Sequence, residues 1–280
     1  MNHHILCLLF LWMSLEAFPA QSQPFQFNIF NGALADATTA LPVAGWGPNP
    51  ANTGFLKAAS ISFYAAEAYG ITALRYGGTH LSLPFRSTVA SLNVSGIGIP
   101  SYQQTMLQFA LARPLSFGSS RRVMIGLSNT VKRVSIKGYG NDNAYGLSFG
   151  ASIQVAPHLF LGLSGQHLLQ TRNALYLPQT LGVGLAYQPT TSAWLMTAIE
   201  QELNYPTVIR FGALIHITKN LSLQYGVATH PVKYALGAQI GLRRLLIHLA
   251  AERHLILGWT PGLSISLAFM RQKDASSSVN

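Results

Sequence analysis

A period-two pattern carried by long segments constrains this chain more than any other feature. Phe149, Ala151, Ile153 and Val155 alternate with Gly150, Ser152 and Gln154. Leu181, Val183, Leu185 and Tyr187 alternate with Gly182, Gly184 and Ala186, and Leu221, Leu223, Tyr225 and Val227 with Ser222, Gln224 and Gly226. Leu263, Ile265, Leu267 and Phe269 do the same with Ser264, Ser266 and Ala268. Successive side chains of a strand point to opposite faces, so each segment reads as a strand with one apolar face and one small or polar face. A soluble sandwich also alternates, but it turns Lys, Glu, Asp and Thr to water, and its strands run about 5 to 6 residues. Here the second face is mostly Gly, Ser, Ala and Gln. The segments run roughly 9 to 13 residues, enough for a tilted strand to cross a bilayer. Lipid leaves no backbone group unpaired, so a crossing sheet must close on itself.

The composition agrees. Charged residues make up only 9% of the chain, against roughly 25% in soluble domains, and the mean hydropathy is +0.27. That is too little charge to coat a water-facing surface, and too much apolar content for disorder. A single cysteine, Cys7, excludes a disulfide scaffold. Beyond residue 23 no run of 18 residues is free of polar interruption, which argues against helical spans. The apolar stretch Ile5 to Met13 is too short to span, and Ala20-Gln21-Ser22 follows it. This is the layout of a secretory signal peptide, residues 1–22, although its start carries no Lys or Arg.

The expected fold is therefore all-β: a fourteen-stranded antiparallel transmembrane β-barrel in the outer membrane, over residues 57–271. Strands are expected near 57–66, 70–83, 87–96, 104–115, 121–135, 143–155, 159–169, 179–188, 192–202, 207–217, 221–230, 232–242, 245–254 and 262–271. Short links at 83–86, 116–120, 156–158, 188–191, 218–220 and 243–244 alternate with longer or more polar ones such as 96–104, 136–142 and 170–178. Outer-membrane barrels have short periplasmic turns, so both ends of the barrel chain read as periplasmic. A lumen of fourteen strands is too wide for its own side chains to fill. Residues 23–56, rich in Ala, Gly, Asn, Pro and Thr, read as a hatch folded into it, and 272–280 as a polar tail.

Within that segment, Ala33-Leu34-Ala35-Asp36, Ala40 and Asn49-Pro50-Ala51 resemble the signature preceding the first strand in the FadL-like (long-chain fatty-acid transporter) superfamily, closest in style to its PorV/PorQ group. The resemblance implies a fourteen-stranded barrel with an N-terminal hatch. It also implies one of two roles: an accessory or scaffold in type IX protein secretion, or passage of hydrophobic small molecules. Short outer loops favour the secretion role, with secretion-system proteins as partners. The Gly-rich inner faces at Gly146, Gly150, Gly182, Gly184 and Gly237 favour transport, because they leave the lumen uncluttered. Physically, Asn and Asp cap turns, Pro50 fixes a bend, and Gly47 and Gly54 permit close approach to the wall.

Asp36 in a lumen needs a cationic partner, and strand parity offers Arg75 and Arg210; otherwise Asp36 caps a turn at the periplasmic mouth. Glu200 and Glu202 share one face, as do His248, Glu252 and His254, and His216 also faces inward. Acid–base or metal chemistry is conceivable for such groups, but alternate strand residues lie about 6 to 7 Å apart, and lumen-lining polar residues explain them. No catalytic residue, metal or cofactor is expected. His80-x-Ser82 matches the spacing of outer-membrane lipid A deacylases, small barrels whose catalytic groups face the bilayer. The net charge of +10 is read as pairing with lipid phosphates rather than nucleic acid. Lys132, Arg133, Lys137 and Arg172 fall at the lipopolysaccharide rim, and Arg121, Arg122, Arg243 and Arg244 at the inner rim. Tyr64, Tyr69, Tyr145, Tyr187, Trp194, Tyr225 and Tyr234 read as interfacial anchors.

Overall fold

The computed structural model describes residues 28–117, 121–171, 175 and 177–271. The expected signal peptide, the tail 272–280, Arg172 and the side chains of Arg121 and Arg122 lie outside the described residues. Fourteen strands form one closed sheet in the order β1-β14-β13-β12-β11-β10-β9-β8-β7-β6-β5-β4-β3-β2. They are β1 Ala58–Glu67, β2 Arg75–Phe85, β3 Thr88–Ile99, β4 Tyr102–Phe117, β5 Arg121–Ile136, β6 Gly140–Ala156 and β7 Leu159–Gln170. The second half comprises β8 Thr180–Thr190, β9 Ala193–Glu202, β10 Val208–His216, β11 Leu221–Thr229, β12 Val232–Leu242, β13 Leu245–His254 and β14 Gly258–Arg271. Neighbours are antiparallel throughout, and closure runs from Ala58↔Arg271 to Ala66↔Gly262.

The alternation sorts the two faces as the chemistry requires. On β11, Leu223 and Tyr225 are exposed while Ser222 and Gln224 are buried. On β14, Leu263, Ile265 and Leu267 face out and Ser264 faces in. The exposed apolar residues encircle the barrel, which makes it an outer-membrane β-barrel. Ala58 and Arg271 lie at the same end as the short connections 86–87, 157–158, 191–192, 217–220 and 243–244. This end is called here the turn end; the opposite end, the loop end, also carries two-residue links at 100–101 and 230–231.

Several sequence expectations need correction. The link expected over 96–104 is only Pro100-Ser101, because β3 and β4 stay paired to Ile99↔Tyr102. The link at 136–142 shrinks to 137–139, since β5 and β6 pair to Ile136↔Gly140. The second strand begins at Arg75 rather than residue 70, because tight turns at Ala68–Gly70 and Thr72–Leu74 come first. Tyr64 and Trp194 are lumen residues rather than interfacial anchors, both buried. Tyr64 donates its hydroxyl to Asn93 Oδ1 at 2.9 Å.

Residues 28–56 lie against the inner faces of the strands. Asn28 caps the short helix α1 (Ile29–Gly32), accepting from the N–H groups of Phe30 and Asn31. Ala35 and Asp36 then take left-handed backbone angles, φ 48° and 62°, which folds the chain back so that Asp36 N donates to Asn31 O at 2.8 Å. Two short 3-10 segments, Pro42–Ala44 of one turn and Pro50–Phe55 of two, complete it. Leu34, Ala37, Ala40, Leu41 and Ala44 pack with the inward Phe160, Trp194, Met196 and Leu214 as a core inside the barrel.

Candidate functional site

The candidate site is the contact between this segment and the wall, together with the space it leaves. Its first part is a seat. Asn49 accepts from Ala51 N through its own side chain and donates from Nδ2 to Thr39 O (2.8 Å) and to Ala151 O of β6 (3.0 Å). One amide thus caps the turn, ties the segment to itself and ties it to the wall. Asn52 repeats the internal tie, donating to Thr38 O at 2.8 Å. Pro50 and Ala51 lie directly on Gly126: a Cβ there would be 2.3 Å from Ala51 N and 2.4 Å from Pro50 C. A Cβ on Gly150 would likewise lie 2.0 Å from Asn49 Oδ1, one on Gly162 2.2 Å from Thr39 O, and one on Gly226 2.3 Å from Leu34 C.

The inner glycines therefore have a different meaning from the expected uncluttered lumen. Gly150, Gly184 and Gly237 make room for the segment, while Gly146 faces His167 and Leu177, and Gly182 faces Ser164. Of the two segment glycines expected against the wall, Gly54 approaches Met124 and Ala112, whereas Gly47 approaches Asn31 within the segment. Gly126→Val must push the backbone at residues 50–51 off the wall, at about 1–3 kcal/mol. Limited proteolysis of the purified barrel should then cut residues 28–56 on the order of tenfold faster while the strands stay intact. Unchanged cleavage would contradict the seat.

The second part is a charged clasp. Asp36, 2% exposed, and Arg210, 2% exposed, meet at 3.8 Å, and Arg210 also binds Glu200 through Nε and Nη2, both at 3.0 Å. Arg210 Nη1 donates to Ala35 O at 3.0 Å. Lys233 Nζ lies 3.8 Å from the same Asp36 oxygen, Oδ2, and pairs onward with Glu252 at 3.3 Å. Glu200, Arg210, Asp36, Lys233 and Glu252 form one chain of opposite charges, in which four strands of the wall, β9, β10, β12 and β13, close on one carboxylate of the segment. Arg210 and Lys233 stand near the loop ends of β10 and β12, so Asp36 sits in the loop-side half of the lumen and not at the mouth of the turn end, where the barrel chain begins and ends. Glu202 is buried beside Glu200 but forms no ion pair among the described residues.

Arg75 does not belong to this set. Its side chain is 67% exposed and pairs with Glu67 at 2.9 Å. On β2 the inward residues are Tyr76, His80 and Ser82, so Arg75 has the opposite parity. The cation that sequence reasoning missed is Lys233. Its signal was present, as the only charged residue in the series Lys233, Ala235, Gly237, Gln239 on one face of β12.

The third part is a chamber on the turn side of the segment, about 490 Å³, within the range of small-molecule sites. His80, His216 and His248 all line it. His80 Nε2 and Ser82 Oγ are 2.7 Å apart, as are His216 Nδ1 and Ser222 Oγ. Both His80 and Ser82 are buried inside the lumen, not turned to the bilayer as the deacylase spacing would require. A smaller cavity, about 70 Å³, lies on the loop side and is lined by Gln108, Lys132 and His167. Asn28 and Trp46 line both spaces. Trp46 stacks on His80, 5.4 Å between ring centres, and donates to Gln108 Oε1 at 2.9 Å. Asn28 and Asn31 both donate to Trp46 O. Among the described residues no three His, Cys, Asp or Glu side chains converge as metal ligands would.

A closed, fourteen-stranded outer-membrane barrel with a segment held in its lumen is the class this geometry defines. The sequence matches no family model and no curated protein. Solved structures share the fold. A structure titled CymD monoaromatic hydrocarbon channel aligns with TM-score 0.66 at 9% identity, over 89% of this chain and 99% of that one. A TodX mutant, also titled a monoaromatic hydrocarbon channel, aligns with TM-score 0.59 at 12% identity, over 79% of this chain and 93% of that one. The Acinetobacter baumannii outer membrane protein Omp33 aligns with TM-score 0.53 at 9% identity, over 77% and 100%.

Proposed function

We propose that this protein is a non-enzymatic outer-membrane channel for small, largely apolar molecules, with residues 28–56 as a displaceable plug. The observation that carries the proposal is the way the segment is held. Its grip on the wall consists of hydrogen bonds, glycine seats, one ion-pair clasp and a small apolar contact with Phe160, Trp194, Met196 and Leu214, with a chamber beneath it. Such contacts can part and re-form without disturbing the strand ladder. The likeness to barrels titled as hydrocarbon channels supports this reading over the secretion accessory that the PorV/PorQ resemblance put first. That second reading keeps one observation in its favour, the exposed basic turns at Arg86, Lys219, Arg243 and Arg244, which could meet a periplasmic protein. The same cations, with Arg253 stacked 5.7 Å over Trp259 at the loop end, suit lipid and lipopolysaccharide phosphates at the two rims.

The test is uptake of radiolabelled toluene by cells whose lipopolysaccharide layer is intact, with and without the protein. Several-fold faster uptake with the protein is the expected result. Equal uptake, with the protein confirmed in the outer membrane, would remove the channel reading and leave the secretion accessory.

A further inference from the structure

Charge is divided unevenly between the two ends of the barrel. All six carboxylates of the described residues, Asp36, Glu67, Asp142, Glu200, Glu202 and Glu252, lie in the loop half, beside seven cations that nearly balance them. The turn end carries Lys57, Arg86, Arg113, Lys219, Arg243 and Arg244, all exposed, and no carboxylate among the described residues. Five of these cations lie in turns or just before β1. Arg113 lies within β4 instead. Ala110 and Ala112 of that strand are buried toward the lumen, so Arg113 shares the lipid face with Leu111. It forms none of the ion pairs found among the described residues. The pairs Phe85↔Thr88 and Val89↔Ala112 place it level with the β2–β3 turn, where the Arg86 guanidinium lies 5.6 Å over the Phe85 ring. Phe85 is 69% exposed, and Leu83, Leu111 and the Arg113 partner Ile125 are exposed too.

We infer that the outer wall at the turn end of β2, β3 and β4 is a binding site for an anionic glycerophospholipid, held by its phosphate between Arg86 and Arg113. An arginine on a lipid face is tolerated at headgroup level, where a phosphate can meet it, and is costly deeper in the bilayer. Guanidinium groups offer paired N–H donors that match phosphate oxygens. The exposed Leu83, Phe85 and Leu111 then carry the acyl chains along the wall. An acidic protein in solution would find Arg86 in its turn, but Arg113 stands among apolar residues that lipid covers. The excess of cations at this end favours an anionic lipid over a zwitterionic one. The site depends on the barrel wall and not on the channel reading.

The experiment is native mass spectrometry of the protein, purified from outer membranes in detergent and titrated with dioleoylphosphatidylglycerol and, separately, with digalactosyldiacylglycerol, a neutral lipid without phosphate. The phospholipid should bind on the order of tenfold more tightly, since each cation at an anionic headgroup is worth about fivefold. Arg86→Gln/Arg113→Gln should bring the phospholipid down to the affinity of the galactolipid, which itself should not change. Lys219→Gln/Arg243→Gln removes the same charge from the same end, but at β10–β13. It should leave phosphatidylglycerol affinity within about twofold, because it acts from beyond a Debye length. Equal affinities of the two lipids would overturn the site. So would an equal loss of phospholipid binding in the two double variants, which would mean that only the summed charge of the end matters. Tighter binding of lipid A than of phosphatidylglycerol would overturn the choice of occupant and assign the arginines to lipopolysaccharide.

Discussion

Removing residues 28–56, with residues 1–27 retained, turns the protein from a closed barrel into a sustained open pore in planar bilayers. The expectation follows from size. About eight strands already enclose a lumen that their own side chains fill, and this barrel has fourteen. Beside the inward Phe160, Trp194, Met196 and Leu214, the inner face under the segment is glycine at Gly126, Gly150, Gly162, Gly184 and Gly226. Deleting the segment empties those seats, and no other described element reaches them. The strand ladder is complete without residues 28–56, because closure is made by β1 and β14, so the truncated chain should still fold as a barrel. Strand content by circular dichroism should be retained, and channel recordings should pass from a closed baseline to a stable conducting level. A folded truncation with the same conductance as the full chain would contradict the idea that the segment is what fills the lumen.

The second large effect belongs to the clasp. Arg210→Met leaves Asp36 and Glu200 buried with their main counter-charge gone. Breaking one partner of a buried ion pair costs about 3–5 kcal/mol, because the charge left behind is unpaired. Urea-induced unfolding from lipid vesicles should register a loss of that size. The triple replacement Asp36→Asn, Glu200→Gln, Arg210→Met removes both signs together and should recover most of it, since buried pairs often come close to break-even against neutral replacements. A loss below about 1 kcal/mol for Arg210→Met would assign the clasp the weight of a surface pair. It would then not hold the segment.

Much of the architecture could be read in the sequence because a lipid-facing wall writes its register into every second residue. Leu223 and Tyr225 against Ser222 and Gln224 leave little freedom. Strand ends were less legible. Ile97, Gly98 and Ile99 look like the start of a loop in the chain, yet they remain paired because β4 extends equally far on the other side. Phase also failed locally: with the start of β2 misplaced by the turns at Ala68–Gly70 and Thr72–Leu74, Arg75 was assigned to the wrong face. In the site, Asn49, Pro50, Ala51, Asp36 and Arg210 were all visible as residues of interest. Their joint role was not, because it depends on contacts 102 and 175 residues apart in the chain, Asn49 to Ala151 and Ala35 to Arg210. The inner glycines show the limit most clearly. A glycine facing open lumen and a glycine facing a packed segment are the same letter, and only the partner in space separates them.

The central claim is that residues 28–56 sit inside the barrel with Asn49 against β6. Disulfide trapping tests this most directly, using Asn49→Cys with Gly150→Cys in a Cys7→Ser background. A Cβ on Gly150 would lie 2.0 Å from Asn49 Oδ1. That brings the two Cβ atoms near the roughly 3.5–4.5 Å that a disulfide requires. The account predicts rapid, near-complete cross-linking in the folded, membrane-inserted protein, and none between Asn49→Cys and an outward residue such as Phe149→Cys. A folded barrel in which the first pair stays reduced, or in which both pairs react alike, would contradict it.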